Sequence, residues 1–426
     1  MALAHTCDSG SEVGDVVELL VIADDLTGAL DSGVRLAERG ARVVVTCDWQ
    51  RVERRGVGAD VLVVDTESRH LPAVEAYRRV YDVASKAPLV GASRVYKKCD
   101  SGLRGNVGAE LAAALDAVAS GRLNFVPAYP ALGRTTVGGV HFVDGVPLAK
   151  SVFASDPIDA MTKSFVADIV HEGSDVLVTS ASGATEDTTG IVVYDCATEG
   201  ELARIGAELA ASGGLALAAG SAGLLGTYEL RGHGTAHGGM GTLPHLDRKL
   251  VVVSGSVNGV CRTQLDRAEA AGSARVHLPL APVLTQTWGD DELREFVTQV
   301  KVVAAEADVM IVDSLGPSDW ASIDHVESPS SLIARALGRV ACELESQLGQ
   351  TLMIIGGDTL MGFFDSRGVV SIEPVGEIEP GVVLARYQAD GCCRPIITKS
   401  GAFGVPDLLQ RIQEFLREHG GESTWH

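Results

Sequence analysis

The sequence predicts an α/β protein of two domains, each built on a mainly parallel sheet with helices on its faces. Three observations predict it. Short apolar runs alternate with segments of helical period along the whole chain, which is the pattern of parallel strands joined by crossover helices. The chain has 426 residues, more than a single hydrophobic core usually organises. Residues 231–248, rich in Gly and His, interrupt the alternation without periodicity, and a fresh apolar run starts directly after them.

The first element is VVELLVIADD, residues 16–25, an uninterrupted apolar run ending in two carboxylates, as expected of a strand buried on both faces. Thr27-Gly28 lead into ALDSGVRLAERG, a helix stopped at Gly40. ARVVVT (41–46) and VLVVDTES (61–68) are strands, AVEAYRRVYDVASKA (73–87) is helical by period, RVYKKCD (94–100) is a strand that ends in charge, and NVGAELAAALDAVAS (106–120) is an Ala-rich helix. In residues 123–148 the strand NFVPA runs into a loop rich in Pro and Gly, followed by a hairpin, HFVDGVPL, with Asp144-Gly145 at its turn. DVLVTS (175–180), GIVVYD (190–195), a helix near 199–212 and LALAAG (215–220) complete the first half. The second half has strands in KLVVVSGS (249–256), ARVHLPL (274–280), DVMIVDS (308–314), TLMIIGG (351–357) and RPIITKS (394–400), with a long helix at 331–347. The boundaries that follow are a disordered N-terminus at 1–15, a first domain at 16–230, a linker at 231–248 and a second domain at 249–426. His233 and His237 fall among the glycines of the linker, where no stable helix can align them on a metal.

Charge and cysteine usage narrow the function. Against 56 Asp and Glu there are 35 Lys and Arg, a net charge of -21, so nucleic acid and membrane surfaces are poor partners. The N-terminus, MALAHTCDSGSEVGD, has neither a basic start nor an apolar core and is not read as a signal peptide. The apolar stretch from Leu215 to Leu225 is broken by Gly220, Ser221 and Gly223 and is short of the roughly 20 residues a bilayer needs. The 8 Cys show no CxxC pair and read as reduced thiols. A cytoplasmic protein is expected.

Ligand-binding residues in open α/β sheets gather at the carboxyl ends of the strands. Asp24, Asp25 and Thr27 end the first strand, Asp65, Glu67, Ser68 and Arg69 the third, and Lys97, Lys98, Asp100, Ser101 and Arg104 the fourth. Any one of these acids can be a helix cap, and a Lys pair is often a solvated face. An acidic chain that concentrates cations on one sheet edge is harder to explain that way. Arg and Lys in a cleft bind a carboxylate or phosphate, and a neighbouring Asp accepts a proton from a hydroxyl, which together point to a small anionic, hydroxylated substrate. The second half ends three strands in glycine turns: Ser254-Gly255-Ser256, Gly356-Gly357-Asp358-Thr359 and Lys399-Ser400-Gly401-Ala402-Phe403-Gly404. Such turns let backbone N–H groups approach phosphates, although strand-to-helix turns also use Gly for geometry alone. Neither GxxxxGK[ST] nor G-x-G-x-x-G after a strand occurs, which disfavours a P-loop enzyme and a dinucleotide site.

IADDLTGALDSG (22–33), YKKCDSGLRGNVGAEL (96–111) and FVPAYPALGRTTVGGVHFVDGVPL (125–148) closely resemble the four-carbon acid sugar kinase family, which includes 3-oxo-tetronate, D-threonate and D-erythronate 4-kinases. GSAG (220–223), SGS (254–256), GGDT (356–359), GEIEPGV (376–382) and KSGAFG (399–404) continue the resemblance in order, from about residue 18 to about 412. It implies a first domain that binds the sugar acid, a second that binds ATP, an active site in the cleft between them, and phosphate transfer to the terminal hydroxyl. ATP phosphates need charge neutralisation, so Mg²⁺ is expected, held mostly by phosphate oxygens and waters; Asp358 either assists it or bonds the N–H groups of its own loop. By the same resemblance Asp24, Asp25, Arg69, Lys98, Asp100, Ser101 and Arg104 form the acid side, and Ser254, Ser256, Gly356, Gly357, Asp358, Thr359 and Gly401 the ATP side. Asp24, Asp25 and Asp100 are the candidates for the catalytic base. Asp25 is favoured, with one of the adjacent pair facing the cleft and the other capping the next helix. The chain departs from the family at Val257 and Asn258 after SGS, at Leu360 to Phe364 after GGDT, and at Ala402 where Asn is common, implying a more apolar adenine or ribose pocket. Two other functions fit parts of the pattern: an NAD-linked sugar-acid dehydrogenase, which would need a dinucleotide fingerprint after the first strand, and a non-catalytic sugar-acid-binding protein, which has no use for three glycine turns. The partner expected is a small molecule, and self-association is left open.

Overall fold

The computed structural model describes residues 17–52, 58–155, 159–230, 245–316 and 328–421. The N-terminal 1–15, most of the linker (231–244) and with it His233 and His237 lie outside the described residues. The first half contains β1 (Leu19–Ala23), β2 (Val43–Thr46), β3 (Val61–Asp65), β4 (Arg94–Lys98) and β5 (Arg122–Val126). A small antiparallel sheet follows, β6 (Arg134–Val137), β7 (Val140–Val143) and β8 (Val146–Pro147), and then β9 (Val178–Ser180), β10 (Gly190–Val193) and β11 (Leu217–Gly220). The second half contributes β12 (Leu250–Ser254), β13 (Ala274–His277), β14 (Val309–Asp313), β15 (Thr351–Ile355), β16 (Ser371–Glu379), β17 (Val382–Ala389) and β18 (Cys392–Lys399).

Both halves are α/β with a parallel core. In the first, β3, β1, β4 and β11 run side by side, and in the second β14, β12 and β15 do the same. All five residues of β1 are fully buried because helices cover both faces, which is why the strand reads as a continuous apolar run. The hairpin turn Asp144-Gly145 has φ of 50° and 78°, the double left-handed turn whose twist matches that of paired strands.

The two halves are not separate sheets. Fifteen strands form one sheet in the order β13-β14-β12-β15-β18-β17-β16-β2-β3-β1-β4-β11-β5-β10-β9. The junction is antiparallel, with Ser371 opposite Thr46 and Ile372 opposite Val45. Strands β16 and β17 escape a sequence reading because Pro374, Gly376, Pro380 and Gly381 break their alternation; β16 absorbs the first two with register shifts against β17. An ion pair from Arg35 to Glu377, 2.9 Å long, ties the helix Leu26–Ala37 of the first half to β16 of the second. Glu377 also accepts the Gly381 N–H at 2.6 Å, so the same carboxylate shapes the β16–β17 turn beside the cleft.

Among the described residues no helix is long and apolar enough to cross a membrane, and no group of three or more His, Cys, Asp or Glu is placed to hold a metal. Among the described residues Cys47, Cys99, Cys196, Cys261, Cys342, Cys392 and Cys393 are in no disulfide.

Candidate active site

In the first half, strand register assembles the site. Ala23 at the end of β1 pairs with Asp65 of β3 on one side and Lys98 of β4 on the other, so the residues that follow the three strands emerge together. Arg69 is the hub. Its Nε donates to Asp24 Oδ2 at 2.8 Å and its Nη1 to Asp25 Oδ2 at 2.5 Å, while Nη2 lies 3.7 Å from Asp100 Oδ1. Burial opposes the guanidinium charge, but these three carboxylates hold it well above its ordinary range. Asp24 sits behind Arg69 and is 2% exposed; burial would raise its carboxyl, yet Arg69 and Lys97 hold it below the usual range.

Asp25 has both duties that the sequence divides between the adjacent acids. Its Oδ1 accepts the Gly28 N–H at 2.7 Å, capping the helix Leu26–Ala37, and its Oδ2 accepts the Thr27 hydroxyl at 2.8 Å. It also lines the cleft. A cap side chain turns back over the helix N-terminus, and here that terminus opens into the cleft, so capping and facing the cleft are one position.

Lys97 and Lys98 leave β4 on opposite faces. Lys97 goes under the sheet to Glu110, 2.9 Å away, and Glu110 is bonded in turn to Ser68 at 2.5 Å. Lys98 goes to the cleft. It is 3% exposed, and among the described residues no carboxylate lies within ion-pair distance of its ammonium. Its Nζ lies against the backbone of Gly28, where an added Cβ would stand 2.9 Å away.

Asp100 clamps its own loop. It takes Arg104 in two parallel bonds of 2.9 Å, from Nε and Nη2, and accepts the Gly102 N–H at 3.0 Å. Burial works against its charge, but Arg104 and Arg69 hold the carboxyl well below the usual range. Arg104 also stacks over the Phe153 ring at 4.9 Å. The small sheet supports this loop through buried His141, whose Nε2 is 2.9 Å from the Ser101 carbonyl and whose Nδ1 is 3.0 Å from the Thr136 hydroxyl. The carbonyl only accepts, so Nε2 carries the proton. Burial lowers the imidazole pKa to about 4, and the ring is neutral.

In the second half, Ser254, Ile355 and Lys399 share one level across β12, β15 and β18. Ser254 turns inward: it is fully buried, with its hydroxyl 3.3 Å from Cys261 Sγ, so only Ser256 of this pair reaches the loops. Ser256 packs on Gly401, where a Cβ would stand 1.9 Å from Ser256 Oγ. Gly356 has φ 109°, a conformation that excludes other side chains, and donates its N–H to the Lys399 carbonyl at 3.0 Å. Thr359 is buried under Gly255, and Asp358 lies in the first turn of the helix Gly357–Arg367. That helix begins opposite the first half: a Cβ on Gly357 would stand 3.6 Å from Thr27 and 3.8 Å from Asp25 Oδ2.

The result is a cleft between the halves. Asp25, Arg69, Lys98, Asp100, Ser101 and Arg104 line one wall; Val383, Lys399, Ala402 and Phe403 line the other. Asp24 lies behind the wall, and the turns with Ser256, Gly356, Gly357, Thr359 and Gly401 stand beside the cleft rather than in it. Sequence reasoning missed Asp31, Phe153, Lys399 and Phe403 as cleft residues. Two of them had a signal. Asp31 follows Thr27 by four residues on the same helix face, and Lys399 ends its strand as Lys98 ends β4. Phe153 and Phe403 had none, since loop packing decides where they point. Burial pushes the Asp31 carboxyl up, against the pull of Lys98 and Arg35.

Residues 19–228 match a family model described as a sugar-binding N-terminal domain, and residues 251–409 match one described as a nucleotide-binding C-terminal domain. The cleft therefore lies where a sugar-binding domain meets a nucleotide-binding domain. A D-threonate kinase of Salmonella typhimurium is 30% identical over 440 residues, covering 94% of this chain and 99% of its own. A D-erythronate kinase of Heliobacterium modesticaldum is 30% identical over 435 residues, covering 93% and 97%, and a 3-oxo-tetronate kinase of Cupriavidus necator 27% identical over 431 residues, covering 94% and 96%. The chain belongs to the four-carbon acid sugar kinase family. Its fold is shared by a crystal structure from Salmonella typhimurium, at TM-score 0.77 and 23% identity over 94% of this chain and 100% of that one. A Haemophilus influenzae protein shares it at 0.68 and 21%, over 93% and 99%.

Proposed function

We propose that this chain is an ATP-dependent kinase that phosphorylates the terminal C4 hydroxyl of a four-carbon sugar acid such as threonate, erythronate or 3-oxo-tetronate. One observation carries the reading: the glycine turn that opens the helix Gly357–Arg367 abuts Asp25 at the edge of the cleft that Arg69, Lys98 and Arg104 line, so a phosphate on that turn would lie next to an acid held by those cations. Names of kinases acting on three such acids among close relatives support the substrate class.

In this reading Lys98 and Arg104 hold the carboxylate of the acid, with Arg69 and Asp100 fixing their positions. The γ-phosphoryl lies over Gly356-Gly357, and Ser256, Thr359 and Gly401 shape the floor beneath the remaining phosphates. The hydroxyl oxygen bonds to the γ-phosphorus as the bond to the β,γ-bridging oxygen breaks; ADP leaves, and the hydroxyl proton passes to a carboxylate. Most of the acceleration comes from positioning and charge stabilisation. Asp24 and Asp100 are poor bases because their carboxyls are held low. Asp25 is the base on position, beside Gly357. Asp31 is the second candidate, since it lines the same cleft and its carboxyl is pushed up by burial. Asp358, the carboxylate of the glycine turn, would help hold Mg²⁺, which would neutralise charge on the ATP phosphates. A cytoplasmic location suits an enzyme that draws on ATP and keeps its thiols free.

A coupled ADP-release assay over a panel of four-carbon acids tests the reading, with activity expected for at least one acid and lost in excess EDTA. Thermal shift separates the alternatives: stabilisation by both ATP and an acid is expected. Stabilisation by NAD, or by acid with no nucleotide response, would overturn the kinase.

A further inference from the structure

Lys399 ends β18 and is 2% exposed. Its Nζ donates to the neighbouring Ser400 carbonyl at 2.7 Å, and among the described residues no carboxylate is within ion-pair distance of it. Burial pulls its pKa down to about 8, with only a slight opposing contribution from the Cys261 thiol of the helix Gly259–Ala270. A buried ammonium without a counter-ion is costly, and such a site persists where an anion completes it. The surroundings say which anion. Lys399 lines the cleft on the second-half wall, with Asp25, Asp31 and Asp100 and the cations Arg69, Lys98 and Arg104 on the opposite wall. Its own carbonyl accepts the Gly356 N–H, which fixes it to the turn that opens beside Asp25. Lys399 therefore comes from the nucleotide side and lines the same cleft as the residues of the acid side.

We infer that Lys399 is a catalytic residue that contacts the γ-phosphoryl group of ATP as it moves to the acid, resting on the kinase reading above. Its charge meets the equatorial oxygens of the phosphoryl group, where negative charge is spread during transfer, rather than the carboxylate of the acid. Lys98, across the cleft, keeps the acid, so the two buried lysines divide the two anions between them.

The test uses the full chain and two readouts. Lys399→Met keeps the length of the side chain and removes a buried charge, so the variant should fold with an unchanged or higher melting temperature. Turnover should fall by roughly 10²–10³-fold, as when one donor to a developing oxyanion is removed, with KM for the acid within about threefold of wild type. The second readout is titration calorimetry of MgATP without acid at pH 8, in buffers of different ionisation enthalpy. Anion binding should recharge Lys399, so the wild-type chain takes up roughly half a proton, ADP elicits less because it lacks the γ-phosphate, and Lys399→Met takes up none. Turnover near wild type, a rise in acid KM that matches the fall in turnover, or unchanged proton uptake in the variant would each overturn the assignment. If wild-type chain binds no MgATP at all, the kinase reading fails and takes this inference with it; binding with the wrong proton count sinks the inference alone.

Discussion

Lys98 Nζ rests against the backbone of Gly28, so close that a methyl group on Gly28 would stand 2.9 Å from it and 2.6 Å from Asp25 Oδ1. The absence of a side chain at Gly28 is what lets one ammonium and one cap carboxylate share the mouth of a helix. Gly28→Ala improves helix propensity by roughly 1 kcal/mol while displacing Lys98 from the cleft. The expected result is little change in melting temperature and a KM for the acid raised about tenfold or more, the scale of a partly lost charged contact. An unchanged acid KM would show that Lys98 does not hold the acid.

Lys98→Ala and Arg104→Ala should each weaken acid binding by an amount on the order of 2–5 kcal/mol, the cost of leaving a charge without its partner. The nucleotide KM should move far less. The two variants differ in a second respect. Arg104 neutralises Asp100, so its loss also frees a buried carboxyl and should lower the melting temperature, whereas Lys98 has no ion pair to break among the described residues. Acid affinity unchanged in both would place the carboxylate elsewhere.

Asp25→Asn and Asp31→Asn decide the base. The true base loses roughly 10²-fold or more in turnover with substrate binding retained. Asp25→Asn also weakens a helix cap and an Arg69 ion pair, so it should lower the melting temperature as well. Asp31→Asn should not, since its half-buried carboxyl is already pushed up and gains little from being charged. Near-normal turnover in Asp25→Asn with collapse in Asp31→Asn transfers the role.

His141 makes stability depend on pH. Its folded pKa of about 4 lies below the ordinary 6.5, so between those values the unfolded chain binds a proton that the folded chain does not. The stability it contributes is complete above pH 6.5 and is lost as pH falls towards 4, on the order of 3 kcal/mol in all for this fully buried ring. Urea midpoints measured from pH 7 to 4 should fall more steeply in the wild type than in His141→Gln. Parallel curves would mean that the ring is not held neutral.

The alternation of most parallel strands with helices, the glycine turns and the ends of β1, β3 and β4 were legible in the chain alone, because local rules write them. Buried parallel strands are apolar runs, helices keep their 3.6-residue period, and polar residues cluster where such strands end. Asp25, Arg69, Lys98, Asp100, Ser101 and Arg104 line the cleft as those rules expect. What only the tertiary structure decided were relations between distant segments. Strand β16 pairs with β2 across more than three hundred residues of chain, and neither strand carries a mark of its partner. Ser254 and Ser256 look alike in sequence, but Ser254 is the last residue of β12 and is buried against Cys261, whereas Ser256 lies past the end of the strand, against Gly401. Lys97 and Lys98 are adjacent and identical; the face that each takes sends one to Glu110 and the other to the cleft. Lys399 became visible only when its wall met the opposite one, since what marks it is a buried charge with no carboxylate beside it among the described residues, and that is a property of the assembled interior rather than of any stretch of chain.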